Sequence, residues 1–175
     1  WQKMTQAEAQ MSSTKYLEAS QLFEQAKELS SDEKTKNLVT GHYHFCKALE
    51  SGTKFVDTMK ATIRNTAIQE LETAGIYYRR AGFQSASEYA KATELLLDAY
   101  SNINKAKKEA DPDRKTKLFA MAEKILQTSA GSFMKAEHPE KREQVLRLLD
   151  KVKAEQELAM SLSEVLHTPA IVSTT

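Results

Sequence analysis

Very little in this chain can stop a helix. Five glycines and three prolines are spread over 175 residues. The breakers Gly52, Gly82, Pro112, Pro139 and Pro169 recur about every thirty residues. A fold of antiparallel strands needs turn residues roughly every ten positions, so β architecture is excluded. Stretches of about 27 residues between breakers would form helices about 40 Å long. Short connections between such helices force neighbours to lie side by side and antiparallel. The expected fold class is all-α, with about six long antiparallel helices stacked as hairpins.

The helix starts carry their own chemistry. Asp111-Pro112 sets a capping carboxylate before a proline whose missing N–H costs nothing at the first helical position. His138-Pro139-Glu140 repeats the device. Ser30 to Glu33 and Ser85 to Glu88 both read as capping boxes, a hydroxyl followed by Glu three residues on. Gly52 and Gly82 read as left-handed stops. These signals predict helices over 4–29, 32–50, 54–81, 84–109, 112–135 and 139–167, with Ser12-Ser13-Thr14 a weak point in the first. The helical unit is expected to span 1–167. Residues 168–175, β-branched and outside the helical pattern, read as the start of a linker. That tail and the opening Trp1 suggest a domain of a longer protein.

Apolar residues recur at helical spacing, as in Tyr16, Ala19, Phe23 and Ala26, or Leu118, Ala122, Ile125 and Phe133. The last helix carries Val145, Leu148, Val152, Ala159, Leu162 and Leu166, a seam broken by Glu155. Large residues alternate with Ala, Gly or Ser, and small residues let helix axes approach closely. Several helices carry a second apolar stripe, such as Leu96 and Ile103. Two-sided helices pack neighbours on both sides, which favours a stacked array over a bundle with one central core.

The run Tyr16-x-x-Ala19-x-x-x-Phe23-x-x-Ala26 resembles the second helix of a tetratricopeptide repeat. Gly75 to Ala86 (Gly-Ile-Tyr-Tyr-Arg-Arg-Ala-Gly-Phe-Gln-Ser-Ala) resembles a first helix, its glycine turn and the start of a second. The helices are longer than the standard repeat's, nearer the extended arrays of the soluble NSF attachment protein type. The two stretches fall out of phase with strict alternation. A slip in register is expected rather than a broken third helix, because 54–74 holds no Gly or Pro. The resemblance implies a right-handed array that binds proteins, with Ala19, Ala26 and Ala86 between helices.

Lys and Arg total 25 against 24 Asp and Glu, without the basic surplus of a dedicated nucleic-acid binder. Lys34 to Lys36 and Lys105 to Lys108 are interleaved with acids and read as solvated helix ends. No apolar run is long enough to span a membrane. The single cysteine forms no internal disulfide, and the chain is expected to be cytoplasmic. His42-x-His44-x-Cys46 is the one metal-like cluster. On a helix His44 points roughly 200° from His42, so His42 and Cys46 are expected to pack inward and His44 to face solvent. Glu164-x-x-His167 is a single copy of a di-iron half-motif that needs two. No phosphate-binding glycine loop or nucleophile elbow is present. No catalytic residue, metal or cofactor is assigned.

Tyr77-Tyr78-Arg79-Arg80 is the most partner-like stretch, since Tyr and Arg each offer area plus a directed polar group. Tyr78 is expected in the core, which leaves Tyr77 and Arg80, three apart on one face, as candidate partner-binding residues. The expected function is a non-catalytic scaffold for a protein partner or another domain of its own chain. Alternatives are a ligand- or metal-binding sensor bundle built on His42, His44 and Cys46, and a self-associating element that uses the last helix.

Overall fold

A computed structural model describes Lys3 and residues 15–167. Within them six helices follow in order: α1 (Tyr16–Glu28), α2 (Glu33–Thr58), α3 (Ala61–Arg80), α4 (Gln84–Lys108), α5 (Pro112–Lys135) and α6 (Pro139–His167). Turns of two to four residues join them, and each helix packs chiefly on its neighbours in sequence, as adjacent hairpins do. Residues 4–14, where the first helix was expected to begin, and 168–175 lie outside the described residues. Among the described residues no helix is long and apolar enough to cross a membrane.

The caps explain most boundaries. Asp111 accepts from the Arg114 N–H at 2.9 Å with Pro112 in the first turn; this bond, first among the causes, holds the Asp111 carboxyl below the usual range. At α2 the cap is Asp32, which accepts from the N–H groups of Lys34 and Thr35. It is not Ser30, whose hydroxyl donates back to the Ala26 carbonyl. Ser85 does not cap α4 either: the helix already starts at Gln84, and the preceding turn sets its start. There Gly82 sits at φ 79, its N–H bonded to Arg79 O, and Phe83 N–H bonded to Tyr78 O. That double closure is a Schellman stop, as expected for Gly82. Glu137, at φ 60, makes the same closure on Met134 and Phe133 before α6 without a glycine.

Gly52 is not a stop. It is buried inside α2, with Leu97 of α4 at 3.5 Å from where its Cβ would stand. Ala48, Gly52 and Phe55 form one buried row that carries α2 on to Thr58. The break falls instead at Met59 (φ 52) and Lys60, within the stretch that lacks both Gly and Pro. A left-handed non-glycine residue costs about 1–2 kcal/mol. Met59 also packs its side chain on the α2–α3–α4 core, and such burial contributes about 1.5–3 kcal/mol when complete. The third helix is therefore shorter than expected, beginning at Ala61 rather than 54.

The core is a chain of three clusters. Phe23 and Ala19 of α1 meet Val39 and Cys46 of α2. Phe45 and Phe55 of α2 meet Leu71 and Tyr78 of α3 and Leu97 of α4. Phe119, Leu126 and Phe133 of α5 lie among Ile103 of α4 and Val145, Leu149 and Val152 of α6. α4 is two-sided: Ala90 and Leu97 serve the middle cluster, Ala92, Ala99 and Ala106 the last. Tyr89 spans them, its ring 5.6 Å from Phe45 and 5.1 Å from Phe133. Ala19 is fully buried and Ala26 nearly so, whereas Ala86 is only partly buried beside the middle cluster. The expected seam of α6 divides: Val145 and Val152 are buried, but Leu162 and Leu166 are exposed.

Candidate protein-interaction surface

The α2–α3 hairpin sets the candidate residues through one close crossing. Gly41 of α2 lies under the Tyr78 ring, where a Cβ would stand 2.7 Å from Cδ1. With no side chain at Gly41, α3 settles against α2 in a register that buries Tyr78, as expected, and brings the next residue back, Tyr77, beside His44.

The metal-like trio is split by the same crossing. His42 turns inward, stacked on Phe23 at 4.9 Å and edge-on to Tyr78 at 5.3 Å. Burial pushes its imidazole down to about 4, and Nδ1 of the neutral ring shares a 3.0 Å hydrogen bond with the Tyr78 hydroxyl. Burial raises the Tyr78 hydroxyl well above its ordinary value and the Cys46 thiol to about 12. Such a thiol is protonated and unreactive at neutral pH. His44, expected to face solvent, is half-buried on another side of α2, against Glu70 and Tyr77. Among the described residues no three His, Cys, Asp or Glu side chains are placed to hold a metal ion.

His44 instead becomes the middle of a surface stack. Tyr77 lies parallel to it, 7° between planes and 5.8 Å between centroids. Tyr43 meets its other side edge-on at 5.0 Å. Arg80 sits over Tyr77 at 5.3 Å, and Lys47 over Tyr43 at 5.3 Å. A ladder thus runs Lys47, Tyr43, His44, Tyr77, Arg80 across both helices. Glu70 holds its centre, accepting from His44 Nδ1 at 2.6 Å and lying 3.7 Å from Lys47. Burial pulls the Lys47 ammonium down, but bonding to Tyr43 and the charge of Glu70 outweigh it and leave its pKa raised. Arg80 is exposed and forms no ion pair among the described residues.

The structure therefore brings Tyr77 and Arg80 together, as their spacing suggested. Sequence reasoning missed Tyr43, Lys47 and Glu70, and took His44 only as a metal candidate or a surface residue. A signal was present: Tyr43 and Lys47 stand four apart beside His44, and Glu70 shares a side of α3 with Tyr77, seven residues on. Rings locked by their neighbours, with a cation at each end, lose little freedom when a partner covers them.

No protein-family model, no curated protein and no solved structure matches the chain.

Proposed function

We propose that the chain is a non-catalytic helical-repeat scaffold of tetratricopeptide-like type, which binds a protein partner or another domain of its own chain through the α2–α3 face. The observation that carries this reading is the ladder from Lys47 to Arg80, an ordered, half-buried row of aromatic and cationic groups that ends in the exposed Arg80. Aromatic and arginine anchors of this kind dominate binding energies. A photo-crosslinking residue at position 77 tests it, with position 153 on the outer face of α6 as control. The expected result is one protein, or one distant segment of the parent chain, joined at 77 and not at 153. Equal labelling at both positions would refute the reading.

A second reading, self-association, is favoured by the end of α6, where Leu158 is 68% exposed and Val165 72%. Sedimentation at two concentrations separates the two, since a strict monomer leaves only the scaffold.

A further inference from the structure

A cleft of about 400 Å³ lies between α3 and α4 and shares no residue with the ladder. Gly75, Arg79 and Ser87 form the end nearest the α3–α4 turn. Arg79 Nη1 donates to Ser87 Oγ at 2.9 Å, and Ser87 is only 4% exposed. That bond uses one of five guanidinium donors, and the Arg79 guanidinium makes no other hydrogen bond or ion pair among the described residues. The cleft thus presents a pinned cation whose remaining N–H groups have no protein acceptor.

Gly75 makes this end a notch. Glycine inside a helix costs stability relative to alanine, so it needs a reason. Packing supplies none: a Cβ there would meet Ser87 Oγ at 3.5 Å and Arg79 Nη1 at 3.6 Å, ordinary contacts an alanine tolerates. What the missing methyl leaves open is the approach to that hydroxyl and that guanidinium. Places where a local rule fails without a packing benefit are where function is expected.

The other end is acidic. Glu72 forms no ion pair among the described residues, and Glu94 is paired with Lys91 at 2.9 Å. Ile76, 41% exposed, is an apolar wall between the ends. Lys91 also lines the cleft but is held by Glu94, so the unpaired Glu72 leaves this end with a net negative charge that disfavours a polyanion. Seven residues separate Glu72 from Arg79, a rise of roughly 10 Å, which is about the length of three extended residues.

We propose that this cleft binds a linear zwitterion of about tripeptide length, its carboxylate seated on Arg79 and Ser87 and its ammonium at Glu72. Calorimetry on the full chain with trialanine tests this, against trialanine amide, N-acetyl-trialanine and inorganic phosphate. Trialanine is expected to bind with Kd of about 1 mM or tighter, and each of the other three at least about tenfold more weakly. Arg79→Gln should abolish trialanine binding. Gly75→Ala should do the same while melting no lower than the parent, which separates loss of the notch from loss of the fold. No heat with trialanine at about 10 mM would overturn the assignment. So would an amide or phosphate that binds as tightly as trialanine, or a Gly75→Ala variant that binds normally.

Discussion

Gly41 and His42 stand side by side in α2 and carry opposite kinds of constraint. At Gly41 the constraint is space. A methyl group would stand 2.7 Å from the Tyr78 ring, so Gly41→Ala must displace α3 or the ring. Overpacking of this kind costs about 1–3 kcal/mol, read as a lower urea midpoint. At His42 the constraint is charge. The folded ring titrates near 4 and an unfolded one near 6.5, so between these values the unfolded state holds more protons. Stability is complete above pH 6.5, falls as pH drops towards 4, and changes no further below, a loss of up to about 3 kcal/mol. His42→Gln, which keeps a hydrogen-bond partner for Tyr78, should flatten that slope in denaturation series at pH 7, 5.5 and 4. An unchanged slope would place the acid sensitivity elsewhere. That His42 and His44 point to different sides of α2 was legible from helical geometry alone. The stack on His44 was not, because it depends on which α3 residue arrives opposite, and the crossing at Gly41 decides that.

Helix boundaries show what local signals can and cannot say. Asp111-Pro112 and Gly82 were readable because the chemistry of each end is contained in a few adjacent residues. Gly52 misled for the same reason: a glycine that stops a helix and one that admits a neighbour look alike until Leu97 is seen beside it. The break at Met59 was invisible, since an ordinary residue adopts the left-handed conformation while its side chain packs on the core. One pair of variants separates the two glycines. Gly52→Ala, with right-handed backbone and room for a methyl, should stabilise by about 0.5–1 kcal/mol. Gly82→Ala, at φ 79, should destabilise by about 1 kcal/mol. Thermal melts that move in the same direction for both would contradict these assignments.

Across the whole molecule, sequential packing and two-sided helices were legible in the paired apolar stripes, as was the helical class in the scarcity of breakers. The exposed end of α6 was not, because Leu162 and Leu166 follow the same spacing as the buried Val145 and Val152. Cohesion between the middle and last clusters passes through Tyr89. Tyr89→Ala should cost about 3 kcal/mol and let the α1–α3 amides exchange independently of those in α5–α6. Uniform exchange in hydrogen–deuterium measurements would indicate a single core instead. As a binding surface, the ladder on α2–α3 is not part of what holds the fold. That role is tested most directly by Arg80→Ala, with partner affinity and melting temperature measured on the same sample. The expected result is affinity weakened at least about tenfold with a stability change below about 0.5 kcal/mol. Normal binding with an early melt would assign Arg80 to the fold and not to a binding surface.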